Sequence, residues 1–269
     1  MSRLPVAAFV ALVIATVGAF FVVQHLKVTT PLIQGSPAPV PDTINPVSGG
    51  VCPVRNGKGV LRLVSFRQMR ISFYLQNRSD DVDVYMVDSD DRIVRQIGSD
   101  VYMRAGAHPR RHSFRWLGRV ADGSVAPDGV YYIRVSLVHQ GRELTIASPG
   151  GVDKPVTVDT VRPHPAVTGV SPATLTAAAP QPVTIHYTGT RGLRARILIY
   201  RIGPGGPREV KSYSATSRSG VSVWDGTVGG RPAPAGTYVV GVHVTNRACT
   251  TGASPVTLAA APHAVVTVS

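Results

Sequence analysis

Glutamate is almost missing from this 269-residue chain, occurring only at Glu143 and Glu209, and lysine is confined to Lys27, Lys58, Lys154 and Lys211. Two common helix formers are thus scarce, while 27 glycines and 22 prolines punctuate the sequence. Glycine and proline break helices and shape turns, so the composition argues against a helical fold and for turn-rich β structure. Signatures of catalysis are also lacking: there is no Gly-x-Ser-x-Gly elbow, no Walker loop and no His-Glu-x-x-His pair. The segment Gly203-Pro-Gly-Gly-Pro207 is read as a turn, because its prolines remove the amides a phosphate would need. With Glu209 and Asp225 the only carboxylates after His164, acid–base chemistry there has little to draw on. The expectation is a protein that is not an enzyme and carries no cofactor and no metal.

The length allows two domains of about 100 residues, each able to bury a core without metals or many disulfides. The formal charge is +13 and comes almost entirely from arginine. Nucleic acid is the first partner to weigh for so basic a chain, but the charges are scattered singly and form no recognisable binding motif. Nucleic acid is therefore set aside. Between His164 and Ser269, nine Lys and Arg stand against two acids, a balance of +7 that keeps an anionic cell-wall polymer in view as a partner.

From Leu4 to Val23 runs a stretch of twenty residues without a charge. At about 1.5 Å per residue it is long enough to cross a bilayer core. It also exceeds the core of a cleavable signal, roughly 7 to 15 residues, which favours an anchor over a signal peptide cut near Ala19. The short tail before it and the long β-rich remainder place the N-terminus inside and the domains outside. Residues 1–27 are accordingly assigned to the tail and a transmembrane helix. Residues 28–50, punctuated by Pro31, Pro37, Pro39, Pro41 and Pro46, are assigned to an extended stalk holding the domains off the membrane.

An internal repeat is the most informative feature. Trp116-Leu-Gly118, then Asp122-Gly123, then Pro127-Asp-Gly129-Val-Tyr131 matches Trp224-Asp-Gly226, then Gly229-Gly230, then Pro234-Ala-Gly236-Thr-Tyr238. Each copy leads into an alternating run: Tyr131, Ile133, Val135 and Leu137 in the first, Tyr238, Val240, Val242 and Val244 in the second. Period-2 placement puts such side chains on one face of a sheet. Upstream, Ile71, Phe73 and Leu75 match Val183, Ile185 and Tyr187, and Val82, Val84 and Met86 match Ala195, Ile197 and Ile199. Short strands at regular spacing predict two antiparallel β-sandwiches. Domain 1 is expected over residues 51–163 and domain 2 over 164–269, divided where Pro163 and Pro165 interrupt the strand pattern.

These segments resemble the FlgD-type immunoglobulin-like domain, named for the bacterial flagellar hook-capping protein, over about Phe66 to Val161 and Val183 to Val268. The resemblance rests on the Trp-x-Gly and Pro-x-Gly-x-Tyr elements. It implies an all-β fold of two tandem immunoglobulin-like sandwiches after the N-terminal helix. It further implies that Trp116 and Trp224 pack on the cores, and that Gly129 and Gly236 shape the turns before the strands begun by Tyr131 and Tyr238. Such domains serve beside others as scaffold or contact surface rather than as catalysts.

Two clusters invite a chemical reading. Asp80, Asp81, Asp83, Asp88, Asp90 and Asp91 could hold calcium, but a strand through Val82, Val84 and Met86 separates them and the EF-hand spacing is missing, so they are read as solvated turns at its two ends. His108 and His112 sit beside Arg110 and Arg111, which repel a cation, and Pro109 makes the segment a solvated loop. The two cysteines, Cys52 and Cys249, lack metal-ligand spacing, and outside the cell their even count suits one bridge between the start of domain 1 and a late loop of domain 2. The bridge requires Cα atoms within about 7 Å.

The sequence thus leads to a membrane-anchored extracytoplasmic module, a spacer or interaction scaffold of a bacterial cell envelope with an envelope protein as partner. Two alternatives stay open: the non-catalytic front of a larger envelope enzyme, and a polyanion-binding surface module.

Overall fold

The computed structural model of the protein describes residues 9, 12–20, 33–35, 38–55, 58–146, 154–215, 218 and 220–269. Among them the chain is mostly β-strand and the turns between strands, with one 3₁₀ turn at Pro262–Ala264 and helical residues 9 and 12–20. The remainder of the apolar stretch from Leu4 to Val23 lies outside the described residues. Among those described, no helix is long and apolar enough to cross a membrane.

The first eleven strands are β1 (Ile33–Gln34), β2 (Thr43–Ile44), β3 (Val51–Arg55), β4 (Leu61–Ser65), β5 (Met69–Leu75), β6 (Asp80–Val87), β7 (Ile93–Met103), β8 (His112–Trp116), β9 (Gly129–Leu137), β10 (Arg142–Thr145) and β11 (Val156–Val158). A small sheet in the order β1-β5-β8 faces a larger one in the order β2-β11-β9-β6-β7, with β10 beside β9. The inward residues of both form one hydrophobic cluster, among them Ile71, Phe73, Val84, Met86, Trp116, Ile133 and Val135. In β5 every second residue from Met69 to Leu75 is buried, as period-2 patterning dictates. This is the N-terminal unit.

The next eleven strands repeat the plan. They are β12 (Ala166–Ser171), β13 (Thr174–Leu175), β14 (Val183–Thr188), β15 (Arg196–Gly203), β16 (Gly206–Ser214), β17 (Val221–Trp224), β18 (Thr227–Val228), β19 (Arg231–Pro232), β20 (Gly236–Thr245), β21 (Thr251–Ala253) and β22 (Val265–Val268). Sheets β12-β14-β17 and β13-β22-β20-β15-β16, with β21 beside β20, copy the earlier orders strand for strand. A second, separate cluster holds Val183, Ile185, Ile197, Ile199, Trp224, Tyr238 and Val240. Each unit also carries a cis X-Pro bond just before its second strand, at Val40-Pro41 and Ser171-Pro172.

Three expectations need correction. The pairing is not purely antiparallel, since β2 runs parallel to β11 and β13 parallel to β22. The chain crosses from the small sheet at β1 or β12 to the large one at β2 or β13, which runs beside the last strand of its unit in the same direction.

Residues 28–50 do not form a free stalk either. Ile33 pairs with Leu75, the backbones of Val40 and Arg70 exchange hydrogen bonds at 2.9 Å, and Thr43–Ile44 pairs with β11. Proline is tolerated at a sheet edge, where its missing amide faces no partner, so a proline-rich segment can serve as an edge strand. The N-terminal unit therefore begins by Ile33.

The acidic residues, finally, are not all in solvated turns. Asp80 and Asp81 open strand β6, and Asp80 is 2 % exposed.

Candidate functional site

The repeat residues build the same substructure twice. Trp116 Nε1 donates to the carbonyl of Arg119 at 2.9 Å, and Trp224 Nε1 to that of Thr227 at 3.0 Å. Each indole lies tilted against a tyrosine ring, Tyr131 at 5.0 Å and Tyr238 at 5.6 Å between centroids. The tyrosine hydroxyls then donate to the carbonyls of Pro127 at 2.8 Å and Pro234 at 2.7 Å. Large aromatics are thus buried with their polar ends satisfied.

Gly118 and Gly226 follow the tryptophans with φ of +65° and +72°. A Cβ there would stand 2.1 Å from Pro46 Cγ and 2.3 Å from the Gln181 carbonyl oxygen, so both positions require glycine. Gly236 is also restricted, with φ at +149°. Gly129 departs from the expectation: its φ is not positive and a Cβ would meet nothing within 4 Å. Nothing in the local backbone demands glycine at Gly129.

Sequence reasoning located the two cysteines but not what surrounds them. Cys52 in β3 is bonded to Cys249, with Cα atoms 6.0 Å apart. Cys249 lies in the turn between β20 and β21, itself at φ +54°, and its carbonyl accepts from the Gly50 N–H at 3.1 Å. One residue on, Thr250 Oγ1 accepts from Nδ2 of fully buried Asn45 at 3.2 Å. Asn45 Oδ1 in turn accepts the amides of Val47 and Ser48 at 3.0 and 2.8 Å, so the N-terminal side of the contact is held by its own turn.

The same turn is gripped from the connecting segment. Asn246 Oδ1 takes the Thr250 amide at 2.8 Å while its Nδ2 donates to Asp159 Oδ2 at 3.3 Å. Arg191 Nη1 reaches Asp159 Oδ1 and the Val161 carbonyl, both at 3.1 Å. At Gly252 a Cβ would fall 1.9 Å from the Pro163 carbonyl oxygen, which shows how closely the connector is pressed on β21. The two units are therefore joined by a disulfide, buried polar contacts and an ion pair around one turn.

Beside this junction lies a cleft of about 340 Å³ lined by Thr43, Asp128, Thr157, Asp159, Arg191 and Asn246. Its carboxylates are occupied: Asp128 Oδ1 accepts both the amide and hydroxyl of Thr160 at 2.8 Å, and Asp159 is held by Arg191.

Elsewhere, Asp80 accepts the amides of His139 and Gln140 at 2.8 and 3.1 Å and meets His139 Nδ1 at 3.1 Å. Burial opposes its ionisation, but these hydrogen bonds prevail and hold the carboxyl below its usual range. Asp88 caps the turn to β7 through the amides of Asp90 and Arg92, both at 2.9 Å, and pairs with Arg92. Asp91 pairs with Arg134. Asp80 and Asp88 thus lie at opposite ends of β6, and no group of three or more metal-ligating side chains converges among the described residues. His112 opens β8 opposite Phe73, whereas His108 precedes it in an exposed turn.

Part of the chain is similar to a known bacterial protein. Over 77 residues it is 36 % identical to the basal-body rod modification protein FlgD of Salmonella typhimurium, and equally to that of Salmonella typhi. The match takes in 28 % of this chain and 30 % of each relative, so under a third of their length is represented. No protein-family model matches the chain. Among solved structures, a marsupial T cell receptor aligns over 70 % of this chain and 65 % of its own at 12 % identity, with a TM-score of 0.35. Dimeric latent PorU from Porphyromonas gingivalis aligns over 83 % of this chain and 20 % of its own at 14 % identity, with a TM-score of 0.28.

Proposed function

We propose that the chain is a non-enzymatic, membrane-anchored extracytoplasmic module of a bacterial cell envelope, in which two FlgD-type immunoglobulin-like β-sandwich domains act as one stiff spacer or interaction scaffold. The observation that carries this reading is the cross-linked junction between Cys52 and Cys249. A disulfide persists in oxidising compartments, which supports an extracytoplasmic address. Together with the contacts of Asn45, Asn246 and Arg191 it fixes the angle between the units, a property useful to a presenting arm and superfluous in a flexible tether. The apolar stretch from Leu4 to Val23 supplies the anchor, and the partial identity to FlgD supports a scaffold of that domain type.

The test is fractionation of cells producing the full chain, followed by digestion without reduction. The intact chain is expected in the carbonate-resistant membrane fraction with a peptide linking Cys52 to Cys249. Recovery in the soluble fraction with both thiols alkylatable before reduction would overturn the reading. Loss of the bridge in Cys52→Ser is expected to cost about 2 to 5 kcal/mol, as for other native disulfides.

A further inference from the structure

Strands β3 and β4 have no counterpart in the C-terminal unit, and they form a two-stranded hairpin outside both principal sheets. A hairpin of two strands is marginal in water by itself. Here its base is fixed to the body by the disulfide, by Gly50 N–H to Cys249 O at 3.1 Å and by Asn45 N–H to Phe66 O at 2.8 Å.

The register divides its side chains into two faces. Cys52 opposite Val64 and Val54 opposite Arg62 share the face carrying the bond to the C-terminal unit, and Cys52, Val54 and Val64 are half-buried. Pro53 opposite Leu63 and Arg55 opposite Leu61, with Val51, make the other face. That face is strongly apolar yet exposed: Val51 is 62 %, Leu61 54 % and Leu63 76 % accessible, with Val60 at 53 % beside it. A leucine so uncovered on a structure held in place by a covalent bond costs solubility and does not contribute to the core.

Charge narrows the occupant. Arg55 lies on this face and Lys58 at the tip of the hairpin, and no acidic residue occurs between Asp42 and Asp80. Apolar side chains bordered by cations alone match a surface that is hydrocarbon beneath and anionic on top. Distance agrees. Only residues 24–32 separate Val23 from Ile33 in β1, and at about 3.5 Å per residue the first strand stays within roughly 35 Å of the end of the apolar stretch.

We propose that the outer face of the β3–β4 hairpin docks on an anionic lipid bilayer, so that the N-terminal unit lies against the membrane rather than standing off it. The proposal rests on the anchored reading above for its geometry, but its test separates the two. The full chain carrying Leu63→Trp, or Leu61→Trp as a second reporter on the same face, is mixed with vesicles of brominated phosphatidylcholine alone or with phosphatidylglycerol. Both native tryptophans are buried, at 1 % or less exposure, and serve as internal references.

Expected is flotation with both vesicle types, and quenching of the introduced indole only where phosphatidylglycerol is present. Arg55→Gln, on the docking face, with Lys58→Gln at the tip should weaken this association by on the order of fivefold per charge removed, and so lift the quenching at physiological ionic strength. Protein that floats while the introduced indole stays unquenched, or is quenched equally on neutral vesicles, overturns the docking and leaves the anchor intact. Flotation and quenching on anionic vesicles only would support the docking and sink the anchor. Failure to float on either sinks both.

Discussion

The two units close the equivalent turn by different means. After β9 the turn to β10 is held by the buried carboxylate of Asp80, which takes the amides of His139 and Gln140. After β20 the turn to β21 is held by the amide side chain of Asn246, which takes the Thr250 amide and donates outward to Asp159. A carboxylate can only accept, so Asp80 satisfies a turn that ends within its own unit. An amide accepts and donates at once, and Asn246 uses its spare donor to bind the connector. The same loop position is thus a local closure in one copy and half of the junction in the other, although the strand order around it is identical.

The strongest way to break this comparison is through the matched tryptophans. Trp116→Ala and Trp224→Ala are each expected to destabilise their own unit by about 3 to 5 kcal/mol, as large buried aromatics do. The surviving indole reports the untouched unit by fluorescence during denaturation. Its midpoint should move little, and a shared collapse of both units after either substitution would show that the separate clusters are energetically one.

The turn contrast predicts a different response to acid. The Asp80 carboxyl is held below its unfolded value, so its contribution is present above the ordinary carboxylate range and is lost as pH falls through the folded-state value. Acid titration followed through Trp116 should show this loss, and Asp80→Asn should reduce it, Asp88 and Asp122 being lowered as well, while costing about 1 to 3 kcal/mol at neutral pH. Asn246→Asp should also destabilise, for an opposite reason: its new carboxylate would face Asp159. Relief of that penalty in Asp159→Asn with Asn246→Asp is expected, and its absence would remove Asp159 from the junction.

The smallest effects come from the glycines that the repeat equates and the backbone does not. Gly129→Ala should be neutral or stabilising by roughly 0.4 to 1 kcal/mol, since it only restricts the unfolded chain. Gly236→Ala should be destabilising by about 1 to 2 kcal/mol through its positive φ. Equal thermal shifts for the pair would contradict the difference in conformation.

How much of this was legible in the sequence follows from burial. Strands with one face on a core announced themselves, as in Ile71, Phe73 and Leu75 of β5 or Ile197 and Ile199 of β15. Edge strands did not: β7 and β16 are wetted along most of their length and show no alternation to detect. The two-residue strands β1 and β2 lie among prolines that pointed to a stalk, because their placement depends on partners such as Leu75 and Val158 far away in sequence. In β20 the pattern hid a second burial, since Val239 and Gly241 are covered as well, Gly241 by Val256 and Tyr200. The cysteine pair was found by counting, but the Asn45, Thr250, Asn246 and Asp159 network had no signal, being four common polar residues with no motif in common.

The bridge from Cys52 to Cys249 spans 197 positions of the sequence, and it changes how the protein would carry load. A pull between the two ends of the chain travels along β1 and β2, crosses the sulfur bond, and leaves through β21 and β22. Strands β4 to β20, both tryptophan sites and the connector at residues 159–165 lie on a slack branch parallel to that path. An arm built this way yields first at its short terminal strands, which take Ile33, Ile44, Val266 and Val268 out of the two cores, while the rest of each core bears no load along the chain until a covalent bond is broken.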